Sequence, residues 1–272
     1  DPLWSRGLGD VYKRQDLEFT AGRLSRVLQR NATQYTPLTL SPLNRRFEKL
    51  GATAEHFDMA GLDYRFRKQW LARVHVAQLQ DIYRQQVFTL VNKSPWGAGT
   101  FSSDLRLSLM NDYGNAKGGK IDNRALQGLL GYAYKGHSLG LTYQRMLGDT
   151  GYANILGTDA NLINLSVLGD FANAKERSWA LRYGYDFANL GWPGLTINSR
   201  YISGSHAEIT GSQRIGKSWE LDNELRYVVQ QGPLKNLSVR LRSALYRSNY
   251  AKNFIRDTDD TRLMFNYTWN IK

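Results

Sequence analysis

The sequence predicts an all-β fold, an antiparallel β-barrel whose strands cross a membrane. Three observations support this prediction. Apolar and polar residues alternate with a period of two over about twelve segments, the connections between segments are alternately short and long, and aromatic residues cluster near segment ends. Alternation gives each strand one apolar face and one wet face. Short turns at one rim with long loops at the other are typical of membrane barrels.

The alternating segments set the predicted number of strands. In one of them, Trp179, Leu181 and Tyr183 alternate with Ala180 and Arg182. The better segments have roughly ten residues, which at about 3.3 Å per residue and a tilt near 45° cross about 25 Å of membrane. In chain order the segments are 17–23, 61–66, 70–79, 83–91, 105–109, 126–134, 138–146, 178–187, 195–201, 219–229, 237–245 and 263–269.

The connections indicate which strand ends share a rim. Turn-rich links are 134–137, 188–194 and 230–236, and long polar ones are 111–122, 148–177, 204–218 and 248–261. The link 79–83 is short, although the alternation of short and long links predicts a long loop at this position. Residues 24–58 contain Pro37 and Pro42, which indicate irregular structure, and a stretch compatible with one or two helical turns. For the loop 148–177 two paths stay open, into the barrel or along its rim.

Aromatic residues near the predicted strand ends mark the expected membrane surfaces. Trp and Tyr favour the membrane–water boundary, where the ring is apolar and its polar group stays wet. The alternative is that these rings form the core of a large soluble β-sandwich. The residues concerned are Trp179, Trp192, Trp219, Tyr227, Tyr267 and Trp269.

Composition excludes several function classes. The chain has 272 residues, a net charge of +12, four histidines and no cysteine. Disulfides and thiolate metal sites are thereby excluded, and the histidine spacing does not favour zinc. Lysine and arginine recur singly within alternating segments, which favours a distributed polar surface over a nucleic-acid-binding tail. No nucleophile elbow or phosphate-binding loop is present, so we expect no catalytic residue and no cofactor.

Several long stretches resemble one known family. They are LQDIYRQ (79–85), IDNRAL (121–126), LTYQRMLGD (141–149), GDFANAKERSWALRYGYDFANLGWPGLT (169–196) and VVQQGPLKNLSVRLRSA (228–244). They look like the OprD family of substrate-specific outer-membrane porins of Gram-negative bacteria. The resemblance implies an 18-stranded barrel with one pore per chain, often assembled as a trimer. It further implies localisation in the outer membrane, in contact with lipid and lipopolysaccharide.

The resemblance also divides the chain. Residues 1–15 differ in character from the rest of the chain and are interpreted as a non-native leader. Residues 16–272 are then the C-terminal part of a single porin barrel, holding about the last twelve of its eighteen strands. Six earlier strands, with the inward-folded constriction loop of the family, would lie outside this chain.

If the apolar positions face lipid, charged side chains face the lumen. Guanidinium groups pair bidentately with carboxylates and stay charged at physiological pH. The resemblance implies an arginine ladder on the late strands that guides the substrate carboxylate, which favours Arg240, Arg242 and Arg262, and then Arg200 and Arg182. A solvated strand face is the alternative for each arginine alone. The predicted lumenal residues are Arg240, Arg242, Arg262, Arg200, Arg182, Arg226, Glu220, Asp222 and Glu224.

The predicted function is selective passive diffusion of small carboxylate-bearing solutes, such as amino acids, peptides or aromatic acids, through a non-enzymatic channel. The acidic lumenal residues would neutralise arginines or receive an ammonium group. One alternative is a chitooligosaccharide porin of the same family, which requires lumenal aromatic residues, of which Tyr246 is one of few. The others are a barrel enzyme of the outer membrane and a soluble, basic all-β binding module whose apolar face is a dry core.

Overall fold

A twelve-stranded antiparallel sheet dominates the computed structural model, which describes residues 16–29, 32–42, 46–47, 49, 51–210, 213–250 and 257–268. Each of the twelve predicted segments is confirmed as a strand of this sheet over its described residues. Trp269, at the end of the last segment, and residues 1–15, interpreted as a leader, lie outside the described residues. The strands in chain order are β1 (Leu17–Leu24), β2 (Arg26–Val27), β3 (Thr36–Thr39), β4 (Thr53–Ala54), β5 (Phe57–Phe66), β6 (Trp70–Leu79), β7 (Tyr83–Trp96), β8 (Gly99–Asp112), β9 (Asp122–Tyr134), β10 (His137–Leu147), β11 (Arg177–Asp186), β12 (Leu195–Glu208), β13 (Ile215–Val228), β14 (Ser238–Ser248) and β15 (Thr258–Asn266).

Strand order in the large sheet follows chain order. The sheet runs β1-β5-β6-β7-β8-β9-β10-β11-β12-β13-β14-β15, so that, apart from β2–β4, each strand pairs with the strands before and after it. β2, β3 and β4 form a separate small sheet. Among the strands and helices of the described residues, one element is helical, a four-residue 3-10 helix at Phe187–Leu190. No helix in this part of the chain is long and apolar enough to cross a membrane.

The two faces of the large sheet differ in the way the alternation predicts. Side chains on the outer face are large, apolar and exposed; Leu181 and Leu241 each keep 47% of their surface and Leu263 keeps 59%. On the inner face, Ala180 and Ala244 are fully buried. Within the described residues, no second sheet covers the apolar rows, which overturns the sandwich with a dry core.

Short turns and long loops separate to opposite ends of the strands, as predicted. The link between β9 and β10 is a two-residue turn at Lys135 and Gly136, with φ of 46° and 84°. Positive φ at both central residues is the signature of the tight hairpin turn that matches strand twist. The long connections, together with the short 79–83 link, lie at the other end, which we call the loop rim.

Two long connections leave the rim and pack inside the sheet. Residues 148–176, named here the inner loop, lie against the inner face. The described residues of the segment 25–56 pack on the inner loop and on the inner face. The segment contains β2, β3 and β4, and the described residues of the stretch compatible with helical turns form no helix. Buried apolar side chains join the three parts into one core, including Leu40, Ile82, Met110, Tyr152 and Ile155. This core fills the inner side near the loop rim.

Candidate functional site

The nine residues predicted to line the lumen lie on the inner face, in cross-strand rows fixed by register. Arg182 is opposite Arg200, and Arg200 is opposite Asp222. Two residues nearer the short-turn rim, Glu224 is opposite Arg242, which is opposite Arg262. A further row, nearer still to the short turns, pairs Arg226 with Arg240. Glu220 lies one row nearer the loop rim than Asp222. We call the six arginines the arginine wall.

Carboxylates offset the charge of four arginines in this wall. The Nη2 atom of Arg200 lies 2.7 Å from Oδ2 of Asp222. Glu224 is shared, because its Oε2 lies 2.9 Å from Nη2 of Arg242 and its Oε1 lies 3.6 Å from Nε of Arg240. The Nε of Arg262 donates to Oδ1 of Asp260 at 2.9 Å. The sequence analysis did not select Asp260, which lies on the same face of β15, two residues before Arg262.

Arg182 and Arg226 differ from the other arginines because they have no carboxylate partner in the described part of the chain. Arg182 donates through Nη2 to the backbone oxygen of Ile163 in the inner loop, and its buried Nε has no hydrogen-bond partner among the described residues. Arg226 donates through Nε to the hydroxyl of Ser238 at 3.1 Å. A cation without a fixed counter-charge is the natural place for a solute anion to bind.

A cavity of about 650 Å³ lies between the inner loop and the arginine wall. Arg182, Arg200 and Arg242 contribute to its lining, together with the acidic Asp222 and Glu224. Arg226, Arg240 and Arg262 are not in this lining and lie on the wall outside the cavity. The sequence analysis ranked Arg240 and Arg262 ahead of Arg200 and Arg182. The cavity is lined by Arg182 and Arg200, and not by Arg240 or Arg262.

Three glycines extend the cavity beyond Arg182. Gly131, Gly140 and Gly184 are part of the lining, and Gly140 is directly opposite Arg182 in the strand register. A side chain at Gly131 or Gly184 would collide with neighbouring polar side chains, whereas at Gly140 the nearest side-chain atom is Cβ of Arg182, 3.6 Å from where a Cβ would stand. The hydroxyl of Ser102, opposite Gly131, borders the same space.

The inner loop is fixed in place by a buried carboxylate. Glu220 accepts hydrogen bonds from the Ser166 hydroxyl at 2.6 Å, from the Leu168 amide at 2.9 Å and from the Gly169 amide at 2.7 Å. The side chain of Glu220 is fully buried. The structure thus places Glu220 beneath the loop, out of reach of a solute, so it cannot serve as the predicted ammonium receptor while the loop is folded inward.

Uncharged amides of the inner face bind the same loop, and the sequence analysis missed them. Gln127 accepts from the Ile163 amide at 2.7 Å and Gln144 accepts from the Asn164 amide at 3.1 Å. Gln144 also donates to the Phe171 oxygen at 2.9 Å. The available signal was a glutamine at a polar-phase position of an apolar strand, since a buried amide needs a partner. These contacts show that the loop takes the inward path.

A second tie holds the inner loop at the rim. Asp149 lies 2.8 Å from Nζ of Lys120 and 3.1 Å from Nζ of Lys175. Hydrogen bonds from Lys120 and then Lys175, reinforced by their charges, lower the pKa of the Asp149 carboxyl to about 2. The carboxylate therefore stays ionised at physiological pH, so this tie between neighbouring loops persists there. No cluster suited to a metal ion occurs among the residues that the structure describes.

A single-layered antiparallel wall with an apolar outer face, charged inner rows and a loop folded against them defines a membrane channel of the porin class. The chain matches the family described as outer membrane porin, OprD family, over residues 11–271. It therefore belongs to the OprD family, whose members reside in the outer membrane of Gram-negative bacteria.

Characterised relatives support this assignment. Porin-like protein GalP of Pseudomonas putida is 31% identical over 223 residues, which cover 81% of this chain and 52% of GalP. Porin D of Pseudomonas aeruginosa is 32% identical over 243 residues, with coverages of 81% and 55%. The chain thus spans about half the length of the curated relatives it matches.

Solved structures give the same result for the fold. The crystal structure of Pseudomonas aeruginosa OccK5 (OpdH) is 43% identical and superposes with a TM-score of 0.86, covering 94% of this chain and 68% of that one. That of OccK11 (OpdR) from the same organism is 41% identical, with a TM-score of 0.85 and coverages of 95% and 67%. The twelve-stranded sheet is accordingly the wall of a porin barrel.

Proposed function

We propose that this chain provides the selective wall for passive diffusion of small carboxylate-bearing solutes across the outer membrane. The observation that supports it most is Arg182, a cation without a carboxylate partner in the described residues, which faces a cavity beside Arg200 and Arg242. A guanidinium group presents two parallel donors to a carboxylate, which makes it a specific receptor for that group.

The rows of the arginine wall give a route with several steps. Successive rows are two residues apart along each strand, which corresponds to about 7 Å. A carboxylate would pass from Arg182 and Arg200 to Arg242 and Arg262, and then to the row of Arg226 and Arg240. Conduction requires binding that is weak enough at each step to allow release. Partial neutralisation by Asp222, Glu224 and Asp260 serves this requirement.

The carboxylate has the leading role in this proposal. Among the acidic residues of these rows, Asp222, Glu224 and Asp260 are each engaged by an arginine, and Glu220 is engaged by the inner loop. A solute ammonium group would have to compete with these fixed partners. Stacking on a sugar ring has little support, because the ring of Tyr246 is buried against Phe171 at a centroid distance of 6.4 Å.

Planar-bilayer conductance of the complete gene product tests the proposal. A panel of small carboxylates is compared with the matched amides, which have nearly the same size and shape but no charge. We expect the carboxylates to block or permeate about tenfold more effectively, because each charge-assisted hydrogen bond contributes about 1.5–3 kcal/mol. Equal behaviour of acids and amides would rule out the arginine wall as a carboxylate filter.

A further inference from the structure

A row of small polar side chains crosses the outer face of the sheet from β12 to β15. Ser199 is opposite Asn223, Asn223 is opposite Ser243, and Ser243 is opposite Thr261. We call these four residues the outer polar row. Strand alternation places them on the same face as Leu225, which is exposed like the other apolar residues there.

The row lies within the apolar band of the wall. Asn223 is four residues from Trp219 and four from Tyr227, two aromatic residues on the same face of β13. Aromatic residues mark the two membrane surfaces, so Asn223 is about midway between them. The flanking rows are apolar on both sides across β12, β13 and β14, namely Tyr201, Leu221 and Leu245 towards the loop rim and Ile197, Leu225 and Leu241 towards the short turns.

Hydrocarbon offers these groups no hydrogen bonds. The Ser199 hydroxyl donates to the Asn223 amide oxygen at 2.8 Å. The amide nitrogen of Asn223 and the hydroxyls of Ser243 and Thr261 find no partner among the side chains and backbone that the structure describes. An unsatisfied polar group in the membrane interior is unfavourable, so a partner that brings donors and acceptors to this depth would be stabilised.

The shape of the row adds a second observation. Serine, threonine and asparagine are smaller than the leucine, isoleucine and tyrosine side chains in the rows on either side, so the row forms a shallow groove. Small residues let membrane-spanning segments approach closely, and hydroxyl and amide groups then bond across the contact. On β8, by contrast, the outer face at the corresponding depth presents Leu105, Leu107 and Leu109.

We propose that the outer polar row is a contact surface for a second copy of this chain, with the row close to the symmetry axis of a homo-oligomer. All copies insert in one orientation, so the axis is parallel to the membrane normal and each residue meets residues at its own depth. The row then faces its own counterpart, which supplies donors and acceptors of the same kind. This inference concerns assembly and does not depend on the proposed solute path.

Single-cysteine cross-linking of the complete gene product in membranes tests the inference. The chain described here has no cysteine, so each introduced thiol is unique within it. Ser243→Cys is the test variant, and Leu105→Cys, at the midpoint of β8 on the same outer face, is the matched control. With a short membrane-permeant bis-maleimide we expect a covalent dimer from Ser243→Cys at least tenfold more abundant than from Leu105→Cys.

A second variant removes the hydrogen-bonding groups without a thiol. Asn223→Leu is expected to keep the folded barrel, recognised by the change in its electrophoretic mobility on heating, while raising the dissociation constant of the oligomer about tenfold in detergent. The inference is overturned if the two cysteine variants cross-link equally, if neither cross-links, or if Asn223→Leu leaves the oligomer unchanged. In each of these cases lipid or another protein, rather than a second copy, covers the row.

Discussion

Replacing Arg182 with glutamine is expected to lower the preference of the channel for a carboxylate over its amide by at least tenfold. Arg182 lines the cavity and has no carboxylate partner in the described residues, so its charge is available to the solute. Glutamine keeps a polar side chain on the inner face but removes the charge and the two-pronged geometry. Bilayer measurements of blockade by an acid and by its amide give the preference directly.

A matched variant separates this effect from the loss of one positive charge. Arg73 lies in β6 and pairs through Nε with Oδ2 of Asp63 at 2.8 Å, away from the cavity. Arg73→Gln should leave the acid-to-amide preference within about twofold of the parent. Arg182→Lys should restore only part of the preference, because an ammonium group lacks the fork. If Arg73→Gln and Arg182→Gln behave alike, long-range charge rather than Arg182 sets the selectivity.

Replacing Glu220 with alanine is expected to release the inner loop and enlarge the channel. The carboxylate accepts three hydrogen bonds from Ser166, Leu168 and Gly169. Each hydrogen bond contributes about 0.5–1.5 kcal/mol net, so the loss of all three raises the open population of the loop by at least about tenfold. We expect single-channel conductance to rise and the acid-to-amide preference to fall, while amides of residues 163–171 exchange hydrogen faster.

Glu220→Gln tests whether the charge itself holds the loop. The amide has the same shape but only one acceptor oxygen, so it supports part of the network and should give a smaller rise in conductance than alanine. Unchanged conductance and unchanged exchange in Glu220→Ala would mean that Gln127, Gln144 and the apolar core keep the loop inward without Glu220.

The strands of the large sheet could be predicted because their signal is local. Alternation in a segment such as Trp179, Leu181 and Tyr183 reports a strand and its two faces without knowledge of its neighbours. The three strands of the 25–56 segment have only two to four residues each, so no period is visible in them. Their small sheet is fixed by packing on the inner loop, as in the bridge between Leu40 and Ile155.

The relative roles of the arginines could not be predicted from spacing. Whether a guanidinium group is neutralised depends on the residue opposite it in the next strand, and register across strands is not visible in one segment. Arg200 meets Asp222 by register, whereas Arg182 meets Gly140 and Arg200 and keeps its charge. The role of Glu220 was hidden for the same reason, because its partners Ser166, Leu168 and Gly169 are more than fifty residues away in the chain.

The central claim is that apolar side chains face lipid while arginines face a water-filled bore, and cysteine accessibility along β14 measures it most directly. Single cysteines at Val239, Arg240, Leu241 and Arg242 in the complete gene product are treated with a charged, membrane-impermeant thiol reagent. The account predicts rapid modification at 240 and 242 and protection at 239 and 241, with the opposite order for a lipid-soluble reagent. Rapid modification at 239 and 241, with protection at 240 and 242, would contradict it.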